Sequence, residues 1–228
     1  MTLCYQMLYI VSTPIGHLKD ITLRAIETLK SVDLIAAEDT RHTKILCNEY
    51  GIATPLTSYF EHNERSKSEY LAKLLKEGKN IALVTDAGTP GISDPGYRVV
   101  KAAKDEGIPI TVIPGATAMI AALSLSALPT DRFVFEGFLP PKEGGREKRL
   151  EALKAEERTI IFYESPHRVE KTLRSIAKVL NNPVVTCARE ITKKFEEVKE
   201  GPALSLAEEF TKKDPRGEFV IVLNLKKV

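Results

Sequence analysis

Apolar residues recur along this chain in two rhythms. Short unbroken runs alternate with longer stretches in which apolar side chains return every three or four positions. The runs MLYIV (7–11) and IALV (81–84) predict buried strands, and LIAA (34–37), residues 55–60 and ITVI (110–113) predict further strands. Between them, residues 21–32 place Leu23, Ile26, Leu29 and Val32 at helical spacing. Residues 40–50 predict a helix closed by Gly51, and residues 64–77 one that turns Tyr70, Leu71, Leu74 and Leu75 inward before Gly78. A further helix is expected over about 95–106. Such strand–loop–helix alternation predicts an α/β fold with a mostly parallel sheet covered by helices.

Beyond residue 117 the rhythm changes. A small-residue helix (117–126) leads to the strand RFVFEGF (132–138), a charged helix ending near 157 and the strand TIIFY (159–163). A helix at 166–180, the strand PVVTCA (183–188), the segment KKFEEVKEG, a short helix and GEFVIVLNL complete the chain. The larger share of strands predicts a mixed or antiparallel sheet, and so two domains, 1–117 and 118–228.

After each predicted first-domain strand stands a polar loop: STPIG, EDTRHT, EHNE, DAGTPG and PGAT. In parallel α/β sheets these loops gather at the carboxyl ends of the strands, where ligands bind. The richest is TDAGTPGISDPG (85–96), with Gly88, Gly91, Gly96, Pro90 and Pro95. Asp94 is expected as the N-cap of the following helix and Pro95 as its first residue. Taken alone, the loop fits a ligand site or a turn that merely needs glycines. It contains neither GxGxxG nor GK[ST], which argues against nicotinamide or ATP. Its small residues would let the backbone approach a flat ligand such as adenosine joined to an amino acid.

Charge and composition narrow the picture. The chain has 228 residues, 43% hydrophobic and 28% charged, as in ordinary soluble globular proteins. A net charge of +2 neither demands nor excludes a nucleic-acid partner, so any basic surface must be local. One candidate is the stretch 142–154, whose five basic residues (Lys142, Arg146, Lys148, Arg149 and Lys154) face three acids. It reads either as a solvated helix face or as a flexible phosphate-gripping arm. Cys4, Cys47 and Cys187 lie far apart, which points to reduced thiols. The four histidines (His17, His42, His62 and His167) are scattered, and no metal site is expected. The longest apolar stretch (118–128) is too short to span a bilayer, and the first residues lack a cationic lead, so a cytoplasmic protein with no membrane partner is expected.

Two motifs read both ways. In EDTRHT, Asp39 or Thr40 can cap a helix beside a solvated Arg41. Alternatively Asp39 or Glu38 accepts a proton and Arg41 clamps a phosphate. In ESPHR (164–168), Ser165 and Pro166 are expected to begin a helix, whatever Glu164 and His167 do.

The ordered set VSTPIGHLKDIT, AEDTRHT, DAGTPGISDPG, PGATA, FEGFLPPK, YESPHR and AREITK closely resembles the ribosomal RNA small subunit methyltransferase I family of the tetrapyrrole methylase superfamily. The resemblance covers nearly the whole chain. It implies methylation of a cytidine ribose 2′-hydroxyl in 16S rRNA of the small ribosomal subunit, with S-adenosylmethionine as cofactor. It also implies a tetrapyrrole methylase-like fold of two α/β domains with the cofactor cleft between them, and a homodimer. Carried over by motif, the cofactor residues are Pro14, Thr89, Pro90, Gly91, Ile92, Thr117 and Ala118, then Phe162 or Tyr163, Ala188, and Glu218 or Phe219. A ribose hydroxyl is a poor nucleophile, so a base is expected: Asp39 first, with Asp86 or Glu61 behind it. Arg41, Lys142, Arg146 and Arg168 are the candidates for rRNA phosphates. Many family members carry a further small helical segment after the last strand. If that segment grips RNA, binding here is expected to be weaker or to lean on the basic arm. Two rival functions stand beside this one: methylation of a small molecule such as a tetrapyrrole, against which EDTR and the basic arm argue, and a non-catalytic ribosome-binding module.

Overall fold

IALV is apolar at every position because the strand it forms is covered on both faces. In the computed structural model, which describes residues 6–213 and 215–226, this strand is buried throughout. The chain divides into two compact units, Met1–Thr117 and Ala118–Val228.

The first unit contains β1 (Leu8–Val11), α1 (Leu23–Ser31), β2 (Leu34–Ala37), α2 (Thr40–Glu49), β3 (Leu56–Ser58), α3 (Glu64–Lys76), β4 (Ile81–Val84), α4 (Tyr97–Asp105) and β5 (Ile110–Ile113). Its strands pair in parallel in the order β3-β2-β4-β1-β5. Alternate strand residues feed two cores. Val11, Ile35, Ala37 and Val84 pack with Ala25, Leu29, Leu46 and Cys47 of α1 and α2. Leu8, Ala36, Ile81 and Leu83 pack on the other face with Leu71, Leu75, Val99 and Ala103 of α3 and α4. The chain leaves β1 in one direction over one face and leaves β4 in the other direction over the opposite face. The carboxyl ends of these neighbours therefore form a topological switch point.

The second unit contains α5 (Ala118–Leu125), β6 (Phe133–Phe138), α6 (Glu143–Ala152), β7 (Thr159–Glu164), α7 (Val169–Val179), β8 (Val184–Arg189), β9 (Glu197–Pro202), α8 (Ala203–Lys213) and β10 (Phe219–Leu223). The strand order is β6-β7-β10-β8-β9, with β6 and β7 parallel and the other neighbours antiparallel. Phe162, Ile221 and Cys187 stand in one cross-strand row and form a core with Leu150, Leu173 and Phe210 of α6, α7 and α8. The next row, Tyr163, Val220 and Ala188, points to the face against which α5 packs.

Several local expectations are corrected. Helix α4 begins at Tyr97, not Pro95, and Gly96 rather than Asp94 is its N-cap. Its first N–H groups are satisfied from a distance: Gly96 and Arg98 donate to Oε1 of Glu64 at 3.2 and 3.4 Å. Likewise α7 begins at Val169, because Ser165 and Pro166 belong to a preceding turn in which the Ser165 carbonyl accepts from Arg168 and Val169. Leu23, on the expected inner face of α1, is 79% exposed, and Tyr70 of α3 is exposed too. β9 arises from a segment not read as a strand. Cys47 and Cys187 are buried and unbridged, while Cys4 lies outside the described residues. Among the described residues no helix is long and apolar enough to cross a membrane.

Candidate functional site

Three loops meet at the switch point. The loop after β1 and the glycine loop after β4 are stitched by a pair of backbone bonds: Thr13 N–H donates to Gly88 O at 2.9 Å, and Gly88 N–H to Thr13 O at 3.2 Å. Gly88 supplies the left-handed conformation this needs, with φ of +90°. Thr13 Oγ1 also donates to the Thr85 carbonyl at 3.1 Å. The loop after β5 joins through hydroxyls. Thr89 Oγ1 lies 2.9 Å from both Ser12 Oγ and Thr117 Oγ1 and is 3.4 Å from the Ala116 carbonyl. Gly115 passes so near that a Cβ there would sit 2.9 Å from Ser12 Cβ. Pro14 follows Thr13 and is buried, as is Pro90. Gly91 is exposed with open space before it, and Ile92 is turned back by a bond from its N–H to Thr89 O. The first unit thus gathers Pro14, Thr89, Pro90, Gly91, Ile92 and Thr117 onto one rim.

Beside them the ends of β2 and β4 bring three carboxylates together. Asp39 is the N-cap of α2, its Oδ1 accepting from Arg41 N–H at 2.8 Å. The Arg41 guanidinium grips the same carboxylate from Nε at 3.1 Å and Nη2 at 2.6 Å. Those bonds hold the Asp39 carboxyl well below the usual carboxylate range and make it a weak base. Asp86 is the opposite case. It is half-buried, and burial, reinforced by the nearby Glu38 charge, pushes its carboxyl up against the hydrogen bond from Asp39 N–H. Glu61 lies exposed in the turn after β3.

In the second unit, Tyr163 Oη accepts from Met119 N–H at 3.2 Å, one residue past Ala118 at the start of α5. Tyr163 packs edge-on against Phe135 and Phe138. It shares its sheet face with Ala188. Phe162 and Phe219 are buried in the helical core, so only their backbones are available to a ligand. Glu218 is exposed and paired with Lys193 at 2.8 Å.

The basic candidates separate sharply. Arg41 is exposed, though paired to Asp39, and Lys142 is exposed at the N-cap of α6. Arg146 is only 4% exposed, with Nε bonded to Ser175 Oγ at 2.9 Å and Nη1 to the Pro141 carbonyl at 3.1 Å. Its expected role on a mobile phosphate arm is therefore overturned: the residue is a buried strut. Arg168 is pinned likewise, to the Leu139 carbonyl and, at 3.3 Å, to buried Glu164.

Residues 7–207 match the family described as Tetrapyrrole (Corrin/Porphyrin) Methylases. Ribosomal RNA small subunit methyltransferase I of Synechocystis sp. is 51% identical over 218 residues, covering 95% of this chain and 78% of that one. This chain belongs to that methyltransferase I family. The Thermotoga maritima member is 47% identical, covering 96% of this chain and 98% of its own length. A solved structure of uroporphyrin-III C-methyl transferase from Thermus thermophilus complexed with S-adenyl homocysteine superposes with a TM-score of 0.68 at 16% identity, covering 96% and 98% of the two chains. That likeness establishes the shared fold.

The rim suits the cofactor of such methyltransferases, S-adenosylmethionine. Residues 12–16, 85–96 and 114–117 include no lysine or arginine, but hydroxyls, peptide groups and the carboxylates of Asp86 and Asp94. That donor set fits a ligand with a sulfonium, an ammonium and a nucleoside better than a polyphosphate. The sequence alone does not single out Ser12 or Thr13 as partners of the glycine loop; their one visible signal is a pair of hydroxyls just after a buried strand.

Proposed function

We propose that this chain methylates small-subunit ribosomal RNA at the 2′-oxygen of a cytidine ribose, using S-adenosylmethionine. The observation that carries the reading is the interlocked rim of Ser12, Thr89 and Thr117 in a chain half-identical to proteins named for that rRNA activity. When bound, the cofactor supplies a methyl carbon on a sulfonium, which the ribose oxygen takes as the carbon–sulfur bond breaks. The remaining work falls to side chains. Orientation of the acceptor can lower the barrier by roughly 7–11 kcal/mol in good cases. Asp86, rather than Asp39, takes the hydroxyl proton, because its environment favours proton uptake while Arg41 holds Asp39 as a carboxylate. Carried over by motif, Tyr163, Ala188 and the backbones of Phe162 and Phe219 are the second unit's candidate cofactor residues. Lys142 and Arg41 serve the rRNA phosphates. The protein works in the cytoplasm as a homodimer.

The test is transfer of labelled methyl groups from S-adenosylmethionine to small ribosomal subunits, naked 16S rRNA and a porphyrinogen, with ribose methylation mapped on the RNA. Label at one cytidine 2′-oxygen is expected. Label on the porphyrinogen alone would assign the chain to small-molecule methylation, and no cofactor binding would make it a non-catalytic module.

A further inference from the structure

Glu38 and Asp86 belong to adjacent parallel strands, each one or two residues past its strand's end, and their contacts are reciprocal. The Glu38 carboxylate, following β2, takes the Thr85 hydroxyl and, at 3.3 Å, the Asp86 N–H, both following β4. The Asp86 carboxylate returns the contact by accepting from Asp39 N–H at 3.0 Å through Oδ1. Oδ2 of Asp86 receives no hydrogen bond from the described residues. A side chain held by one oxygen and open at the other is positioned for a proton acceptor.

We infer that Glu38 is a positioning residue for the reaction, fixing the Thr85–Asp86 backbone so that the open oxygen of Asp86 meets the acceptor hydroxyl. This rests on the reading of Asp86 as the base. The charged and titratable groups around Asp86 are Glu38 and Asp39 from the end of β2 and Arg41 and His42 from the start of α2. Among them the Glu38 and Asp39 charges oppose ionisation of Asp86, while the positive charges favour it. Glu38 therefore has two effects that can be separated. Its hydrogen bonds hold geometry, and its charge adds to the burial that makes Asp86 a stronger base than an isolated aspartate.

Glu38→Gln preserves an acceptor oxygen but removes the charge, whereas Glu38→Ala removes both. Single-turnover methylation of small subunits is measured against pH for each, with cofactor binding and thermal unfolding measured in parallel. For Glu38→Gln the acid limb of the rate profile should move to lower pH, since Asp86 then ionises more readily. For Glu38→Ala the rate should fall by about 100-fold, the scale of a misplaced catalytic group, with cofactor affinity unchanged. An acid limb unmoved in Glu38→Gln, or a wild-type rate in Glu38→Ala, overturns the inference. If Glu38→Ala does not fold, the Glu38→Gln profile decides alone. Asp86→Asn separates the two readings: a wild-type rate there sinks the base assignment itself. Loss of rate there with an unmoved Glu38→Gln limb sinks only the role of Glu38.

Discussion

The backbone N–H of Asp39 donates to Oδ1 of Asp86 across 3.0 Å, so two acids from different strands meet at one point with opposite tasks. Asp39 uses its side chain to cap α2 and hold Arg41, and lends Asp86 only its backbone. The division gives a direct prediction. Asp86→Asn should lower single-turnover methylation by about 10²–10⁴-fold, the range of general-base catalysis. Asp39→Asn, which keeps a capping oxygen and the backbone donor, should cost far less. Equal losses would show that the two carboxylates share the role.

Thr89→Val removes the hydroxyl that links Ser12 to Thr117 while keeping the side chain's shape. Each lost hydrogen bond is worth about 0.5–1.5 kcal/mol. Titration calorimetry should find S-adenosylmethionine affinity reduced by roughly tenfold, with overall stability changed less, because Thr89 and Thr117 are only half-buried.

Gly115→Ala tests the close approach of two loops. The new Cβ would stand 2.9 Å from Ser12 Cβ, so one loop must move. Destabilisation of about 1–3 kcal/mol in urea unfolding is expected, together with weakened cofactor binding. Gly91→Ala meets no such obstruction, although its φ of +84° still disfavours a side chain.

Arg146→Ala and Lys142→Ala should fail in different ways. Without Arg146 the Pro141 carbonyl and Ser175 hydroxyl lose a buried partner, at a cost of about 1–3 kcal/mol of stability. Lys142→Ala should leave unfolding unchanged, weaken RNA binding, and reduce the slope of log affinity against log salt by about 1. A stable Arg146→Ala protein with a reduced salt slope would restore Arg146 to the RNA surface.

Tyr59 links stability to alkaline pH. Its hydroxyl accepts from Val99 N–H at 3.2 Å and donates to Glu64, and burial pushes the phenol up to about 12. An unfolded tyrosine ionises near ~10. The raised value means a stabilising contribution that is complete below pH ~10 and lost as pH climbs through about 12. Tyr59→Phe should remove that slope in unfolding titrations between about pH 10 and 12, while lowering stability at neutral pH through the orphaned Val99 N–H.

The readable parts of the sequence were those governed by burial on both faces. β1, β2 and β4 announce themselves as unbroken apolar runs because helices cover both sides of the sheet there, whereas β5, at the sheet's edge, leaves Val112 exposed. The loops that follow them were legible as a candidate rim for the same reason, since polar residues can return only where the strands end. What was hidden depends on partners far away in the chain. The start of α4 could not be placed because its cap is the carboxylate of Glu64, on another helix. Arg146 and Lys142 look alike in sequence, and only Ser175 and the Pro141 carbonyl reveal which one is inside. Asp39 and Asp86 each follow a strand, and their basicity parts only once Arg41 folds back on the first.

β9 escaped notice because its residues, EVKEGP, alternate charge rather than hydrophobicity. It is the outermost strand of its sheet, pairing with β8 along one side. An open strand edge is a template on which another chain can add. Glu197, Lys199 and Glu200 make such addition costly by forcing charges together, and Pro202 supplies no donor at the end of the ladder. The composition that hid the strand from a reading of the sequence is the same composition that guards the protein against edge-to-edge aggregation.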